Sequence, residues 1–208
     1  GATVSISDPS WENHRALFMN AGFEVRTYPY YDAASRGVRF EAMLAALAAA
    51  EPGSIAVLHA CCHNPTGCDL SPAQWAGIVD ACKAAGVVPF LDMAYQGFGE
   101  GIAEDGAVVR QFLAAGIDFF VSTSFSKSFS LYGERVGALS VVCASKDEAA
   151  RVLSQLKIVI RTSYSNPPTF GAQLVATVLT TPALRAQWEE ELAGMRERIR
   201  AMRHTLVA

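Results

Sequence analysis

The sequence of 208 residues lacks an excess of positive charge, a long apolar run and an ordered set of cysteines. Its formal net charge of -3 provides no basic field, so we expect no nucleic-acid partner. The apolar segments are short and repeatedly interrupted, which predicts no membrane-spanning segment. The first residues, GATVSISDPS, do not show the charged and then apolar pattern of a signal peptide.

The cysteines do not form the pattern of a disulfide framework. There are five, and Cys61 and Cys62 are adjacent, so reduced thiols in a cytoplasmic protein are the simpler interpretation. His63 and Cys68 lie near them, but adjacent cysteines do not give the C-x2-C spacing of a structural zinc site, and no second ligand pair follows. We expect packing roles for the cysteines, an exposed loop position for His63 and no metal site.

What the sequence does contain is enough apolar material for a substantial core. Half of the residues (51%) are hydrophobic and 18% are charged, outside the disordered range. Short β-branched runs alternate with helical patterns, which predicts an α/β fold with a mostly parallel sheet and helices on both faces. We expect strands at Ala2–Ile6, Glu24–Tyr28, Ile55–Ala60, Val87–Leu91, Phe119–Ser124 and Ala138–Cys143.

Several helices have recognisable boundaries. Ser71 is expected to cap one helix, with Pro72 in its first turn and Gly86 at its end. Another is expected from about residue 40 to residue 50. From Pro182 onward, apolar residues recur every three or four positions, which predicts one long amphipathic helix capped by Thr181. We expect this helix to continue beyond the end of the chain, which would then be part of a longer protein.

Polar residues follow the predicted strands, and in an open α/β sheet ligands bind beyond the carboxyl ends of the strands. A carboxylate can keep a pyridine nitrogen protonated, and an amine desolvated beside a fixed cation can form a Schiff base. Hydroxyls and a guanidinium bind phosphate, and an indole stacks on a flat ring. The set therefore suits a flat, phosphorylated, heteroaromatic cofactor; its members are Trp11, Asn64, Asp92, Tyr95, Ser124, Ser126, Lys127 and Arg135.

The chain resembles the central part of the aspartate and aromatic amino-acid aminotransferases, which use pyridoxal phosphate on the type I fold. The resemblance covers essentially all residues, in the family's order and spacing. Two further stretches, TYPYYDAASRGVRF and SLYGERVGALSVVC, look closer to the aromatic (tyrosine) branch. The matching motifs are SDPSWENH, HACCHNPTG, LDMAYQGFGEG, SFSKSFSLYGERVG and IRTSYSNPP.

The resemblance implies a role for each residue near the cofactor ring. Lys127 would carry pyridoxal phosphate and move the proton at the substrate's α-carbon. Asp92 would pair with the pyridine nitrogen, supported from behind by His14. Tyr95 and Asn64 would hydrogen-bond the 3-oxygen of the ring. Lys127, Asp92 and Tyr95 are thus the implied catalytic residues.

The resemblance also implies the phosphate and substrate contacts. Ser124, Ser126 and Arg135 would hold the phosphate, and Trp11 would stack on the ring. Arg161 would reach the site of a neighbouring subunit in a homodimer and meet the distal carboxylate of a dicarboxylic substrate. The implied substrate contacts are Trp11, Asn64 and Arg161.

The resemblance implies amino transfer between an aromatic or dicarboxylic L-amino acid and a 2-oxo acid such as 2-oxoglutarate. Residues 1–181 would form a large cofactor-binding domain, incomplete at its N-terminal side, and residues 182–208 a helix leading to a small domain. Because a phosphate-binding turn and an α-carboxylate arginine would lie outside this chain, the piece alone is expected to be inactive.

Two alternatives stay open, and the sequence disfavours a third. The protein could be an aspartate aminotransferase, or a truncated fragment that binds pyridoxal phosphate without catalysis. Ser124 and Lys127 also form the S-x-x-K pattern of serine acyltransferases and β-lactamases. That pattern requires the serine to open a helix and a later K-T-G strand, whereas Ser124 ends a predicted strand and the sequence has no K-T-G.

Overall fold

A six-stranded sheet forms the centre of the computed structural model, which describes residues 2–207. Neighbouring strands are parallel except for the last pair, which is antiparallel. The order is β2-β1-β5-β6-β7-β8. These strands are β1 (Thr3–Asp8), β2 (Glu24–Pro29), β5 (Ile55–His59), β6 (Val88–Met93), β7 (Phe119–Ser124) and β8 (Gly137–Val142), and a small antiparallel pair is formed by β3 (Tyr31–Asp32) and β4 (Gly37–Val38).

Eight helices connect and flank the strands in the described part of the chain. They confirm the alternation of strands and helices that the sequence predicts. Their bounds are α1 (Glu12–Asn20), α2 (Phe40–Ala48), α3 (Pro72–Ala85), α4 (Ile102–Asp105), α5 (Ala107–Ala115), α6 (Lys146–Ser163), α7 (Phe170–Thr180) and α8 (Pro182–Val207).

Apolar side chains cover both faces of the sheet. Along β5, Leu58 joins a large cluster with residues of α2, α3 and α5, while Val57 joins a smaller cluster that includes Phe18 of α1. Successive side chains of a strand point to opposite faces, so these two clusters lie on opposite sides. The predicted α/β fold, with a mostly parallel sheet covered on both faces, is confirmed.

The boundaries of α3 follow the predicted signals. The Ser71 hydroxyl accepts a hydrogen bond from the Gln74 amide N–H at 3.2 Å, and the Gln74 side chain accepts one from the Ser71 N–H at 2.9 Å. This reciprocal capping satisfies two amide groups that the helix cannot pair internally. Gly86, at φ 66°, ends the helix in the left-handed region that favours glycine.

Small shifts separate predicted and observed strand ends. The strand β6 continues to Met93, two residues beyond its predicted end. Asp92 therefore lies inside the strand, one residue before its end, rather than after it. The helix α8 begins at Pro182, where the Thr181 carbonyl accepts from the Arg185 N–H at 2.9 Å. The predicted continuation to Ala208 lies outside the described residues, and the division into residues 1–181 and 182–208 stays a prediction. No helix of the described range is both long and apolar enough to cross a membrane.

Candidate active site

A cavity of about 400 Å³ opens at the carboxyl end of the parallel strands. A second cavity of about 600 Å³ adjoins it and shares Asn64, Tyr95 and Lys127 in its walls. The structure thus brings eight of the ten predicted site residues to the wall of one cavity. They are Trp11, Asn64, Asp92, Tyr95, Ser124, Ser126, Lys127 and Arg135.

The Asp92 carboxylate is held from behind by two side chains. Its Oδ2 lies 3.0 Å from His14 Nε2, and its Oδ1 accepts from the Ser122 hydroxyl at 3.4 Å. Burial alone would raise the pKa of Asp92, but the His14 hydrogen bond and the nearby charge of Lys127 hold that pKa below its ordinary value. The carboxylate is therefore charged at neutral pH, and His14, which is 4% exposed, is placed to support it.

The Lys127 amine lies beside two aromatic rings in the cavity wall. Its Nζ is 4.7 Å from the ring centre of Tyr95 and 5.5 Å from that of Tyr132. Burial, together with Tyr132 and Asp92 nearby, raises the pKa of the Tyr95 phenol, which stays protonated at neutral pH. Lys127 lies in the turn that follows β7, so the end of this strand determines the position of the Lys127 backbone.

Asn64 is positioned by a loop that Asp69 organises. The Asp69 carboxylate accepts from the amide groups of Cys62 and His63, both at 2.7 Å. The Asn64 N–H donates to His59 Nδ1 at 3.3 Å. These bonds order the backbone on both sides of the asparagine.

The expected exposed position of His63 is wrong. Its side chain is 2% exposed and stacks on the Tyr30 ring with centroids 3.8 Å apart. Ser7 Oγ lies 2.9 Å from Nε2, and Thr66 Oγ1 lies 2.8 Å from Nδ1. Residues from distant parts of the chain therefore bury a histidine whose local sequence suggests a surface turn.

Two serine hydroxyls and a guanidinium line the same cavity. The Ser126 N–H donates to Ser124 Oγ at 3.2 Å, and the Arg135 guanidinium donates to the Tyr132 carbonyl at 2.9 Å. Ser126 is buried, whereas the Arg135 side chain is exposed. The guanidinium therefore remains open to an anion.

The Trp11 ring stands at the cavity rim. It is 38% exposed and meets His14 edge to face, with ring centroids 5.3 Å apart. One face of the indole is therefore free to cover a flat ligand.

Arg161 is the one predicted site residue that the structure does not bring to this edge of the sheet. It lies exposed in the last turn of α6, hydrogen-bonded to Ser165, and outside both cavities within residues 2–207.

The structure adds three neighbours that the sequence reasoning left unassigned. Tyr132 lines the cavity beside Lys127, and Ser10 Oγ lies 2.9 Å from His14 Nδ1. Ser122 contacts Asp92 from the adjacent strand. Tyr132 lies within the motif SFSKSFSLYGERVG, and Ser10 lies within SDPSWENH, four positions before His14. Both positions could therefore have been found from the sequence.

These side chains fit a pyridine ring that bears a phosphate. A charged carboxylate, an amine, a phenol, two hydroxyls and a guanidinium all line one cavity. A carboxylate suits a pyridinium, and a guanidinium with hydroxyls suits a phosphate dianion. The donor set thus has a partner for each polar part of pyridoxal phosphate.

Comparisons with known proteins agree with this geometry. The family model "Aminotransferase class I and II" matches residues 1–208. An aspartate aminotransferase of Pseudomonas aeruginosa is 66% identical over 206 residues, which are 99% of this chain and 52% of that protein. A tyrosine aminotransferase of Klebsiella pneumoniae is 57% identical over 204 residues, 98% of this chain and 51% of that protein.

A solved structure is similar over the same range. It is the aromatic-amino-acid aminotransferase of Burkholderia pseudomallei, covalently bound to pyridoxal phosphate, with 69% identity and a TM-score of 0.98. The match covers 99% of this chain and 52% of that one. The chain therefore spans about half the length of the relatives it matches, and it belongs to the class I and II aminotransferase family.

Proposed function

We propose that this chain is the cofactor-binding part of an enzyme that uses pyridoxal phosphate. The enzyme transfers an amino group between an aromatic or dicarboxylic L-amino acid and a 2-oxo acid such as 2-oxoglutarate. The observation that carries the proposal is the single cavity that holds Lys127, Tyr95 and the His14-supported Asp92 together. The aspartate and tyrosine aminotransferases among its relatives support both substrate classes.

Some residues of this chain hold the cofactor, and Lys127 transfers the proton. When bound, pyridoxal phosphate supplies a ring that withdraws electrons from the substrate's α-carbon. Asp92, ionised and held by His14, keeps a proton on the pyridine nitrogen. Lys127 Nζ removes the proton from the α-carbon and returns it, as a positioned general base and acid.

The remaining side chains bind and orient the cofactor. Tyr95 and Asn64 donate hydrogen bonds to the ring's 3-oxygen, and Trp11 covers one face of the ring. Ser124, Ser126 and Arg135 hold the phosphate. A side chain that fixes the reacting groups within a fraction of an ångström contributes to rate as much as to binding.

The full-length parent is proposed to be a homodimer of the cytoplasm. None of the 18 residues of α6 is buried within the described chain, and its apolar side chains Leu153, Ile158 and Val159 are each more than half exposed. A second copy that covers this face would also contact Arg161, which lies in the last turn of the same helix. The cytoplasm is supported by free thiols at all five cysteines of the described chain.

The test of this function is an amino-transfer assay of the full-length protein with 2-oxoglutarate and each of aspartate, glutamate, phenylalanine and tyrosine. We expect turnover that requires added pyridoxal phosphate. Asp92→Ala should keep measurable cofactor binding and lose most of its kcat, because the pyridinium proton loses its partner. His204→Ala, an exposed residue of α8, is the control and should keep full activity. Near-normal kcat in Asp92→Ala would contradict the assignment.

A further inference from the structure

One face of α8 contacts the two backbone segments that follow Tyr95 and Lys127. The contacting residues are spaced four apart, so they lie on one side of the helix. They are Trp188, Leu192, Arg196 and Arg200.

Trp188 contacts the segment that carries Lys127. Its indole N–H donates to the Ser128 carbonyl at 2.7 Å. The same indole stacks on Phe129, with ring centroids 4.5 Å apart and planes 22° from parallel. Ser128 directly follows Lys127, so this hydrogen bond fixes the backbone at the catalytic amine.

Arg196 and Arg200 contact the segment after Tyr95. Arg196 Nη1 donates to the Gly97 carbonyl at 3.0 Å, and Arg200 Nη2 donates to the Gly99 carbonyl at 2.8 Å. Leu192 is fully buried and packs so closely that a Cβ on Gly97 would overlap its side chain. The helix therefore holds the outer side of this loop through both hydrogen bonds and packing.

Asp105 holds the same loop from the other side. Its carboxylate, in a residue only 7% exposed, accepts from the amide groups of Gly97 at 2.8 Å, Gly99 at 3.0 Å and Glu100 at 2.8 Å. The loop that leaves Tyr95 is thus fixed through its N–H groups by Asp105 and through its carbonyls by α8. Such double fixation leaves the loop little freedom independent of the helix.

We infer that this face of α8 sets the position of Tyr95 relative to Lys127, with Trp188 and Arg196 as positioning residues. The inference rests on the proposed function, in which those two side chains act at the cofactor. One rigid helix holds both segments, so a change in either contact displaces one reacting group from the other. Misplacement of reacting groups by about an ångström can cost on the order of a hundredfold in rate.

The test compares Arg196→Ala and Trp188→Phe in the full-length protein. Arg196→Ala removes the donor to the Gly97 carbonyl, and Trp188→Phe removes the donor to Ser128 while keeping a ring against Phe129. The control is Arg198→Ala, because Arg198 is exposed and makes no hydrogen bond or ion pair within residues 2–207. Arg196→Lys keeps a charged donor and tests for rescue.

Two readouts are measured. In the cofactor-free protein, amide hydrogen exchange of residues 97–100 should rise about tenfold in Arg196→Ala, as expected for loss of a hydrogen bond from a charged donor. In the loaded enzyme, kcat should fall about tenfold in Arg196→Ala and in Trp188→Phe, while KM changes less than about twofold. Arg196→Lys should recover part of both effects, and Arg198→Ala should match the wild type.

The two hypotheses fail separately. Unchanged exchange and unchanged kcat in a folded Arg196→Ala, with Lys127→Ala inactive, would overturn the positioning role alone. If Arg196→Ala folds poorly, Trp188→Phe is decisive, and wild-type kcat in a folded Trp188→Phe would also overturn the positioning role. Full amino transfer by Lys127→Ala would instead overturn the proposed function, while the exchange result would still report how α8 holds the loop.

Discussion

At the residue scale, three histidine rings and a tyrosine ring form a chain of contacts beside the two cavities. His14, His59 and His63 follow one another with ring centroids 5.0 Å and 4.3 Å apart, and Tyr30 stacks on the last of them. Burial lowers the pKa of His59 to about 4 and that of His63 to about 3, with neighbouring histidines adding to both shifts. These two imidazoles are therefore neutral in the folded protein at pH 7.

This burial predicts a loss of stability in mild acid. An unfolded histidine takes up a proton near pH 6.5, whereas the folded ones resist it down to about pH 4. Stability contributed by neutral His59 and His63 is present above pH 6.5 and is lost as the pH falls below it. The free energy of unfolding should fall by about 1.4 kcal/mol per pH unit for each such histidine.

Urea unfolding of the full-length protein at several pH values measures this slope. His63→Gln should give a shallower slope between pH 6 and pH 4, since one titrating group is removed. His204→Gln, at an exposed position of α8, should leave the slope unchanged. Identical slopes in the wild type and His63→Gln would mean that His63 is not held neutral by the fold.

Most residues on the cavity wall could be predicted because they lie at or after the end of a strand whose apolar run is visible in the sequence. Asp92, Asn64 and Lys127 all stand at such strand ends, and the sheet brings them together. His63 could not be predicted in the same way. Its burial depends on Ser7 and Tyr30, which are more than thirty positions away and leave no local signal.

At the element scale, the boundaries of α3 could be predicted, because its cap and the amide groups that the cap satisfies are neighbours in sequence. The capping box of Ser71 and Gln74 is such a local feature. Ser71→Ala should lower the free energy of unfolding by about 1 kcal/mol, because the Gln74 N–H in the first turn of α3 loses its hydroxyl partner.

Chemical denaturation of the full-length protein measures the effect of that cap. Asp80→Ala is the control within the same helix, since Asp80 is exposed in the interior of α3 and caps no helix end. Its effect should stay within about 0.5 kcal/mol. Equal losses in the two variants would show that the cap contributes nothing specific.

The arginines of α8 show where a sequence pattern misleads. Their spacing among glutamates is typical of a solvated helix face with ion pairs four residues apart. Arg185 and Glu189 do form such a pair, at 2.8 Å. Arg196 and Arg200 each lie 3.4 Å from Glu197 on the same helix, but they also donate to the carbonyls of Gly97 and Gly99, about a hundred positions away. No pattern within the helix could predict those partners.

At the scale of the whole molecule, α6 and Arg161 lie on an exposed surface outside both cavities. The resemblance implies that Arg161 meets the distal carboxylate of a dicarboxylic substrate across a dimer interface. Arg161→Ala should therefore reduce kcat/KM for aspartate and glutamate far more than for phenylalanine and tyrosine. Removal of one partner of a desolvated ion pair costs about 2–5 kcal/mol, and an aromatic substrate has no such partner to lose.

The control for this prediction is Lys157→Ala, one helical turn earlier on the same exposed helix. A mixed dimer tests whether the arginine acts in the partner's site. Chains with Lys127→Ala, mixed with chains that carry Arg161→Ala, should regain aspartate turnover, because one site then holds both intact residues. If the mixed dimer does not regain aspartate turnover, Arg161 does not act across the interface. If Arg161→Ala reduces kcat/KM equally for dicarboxylic and aromatic substrates, the role of Arg161 is structural.

The central claim is that Lys127 carries the cofactor, and covalent trapping tests it most directly. Full-length protein is incubated with pyridoxal phosphate, reduced with borohydride, digested and mapped by mass spectrometry. The account predicts one reduced adduct on Lys127, absent in Lys127→Ala and lowered when a competing amine is added before reduction. An adduct on Lys83, Lys146 or Lys157 in place of Lys127 would contradict the site assignment.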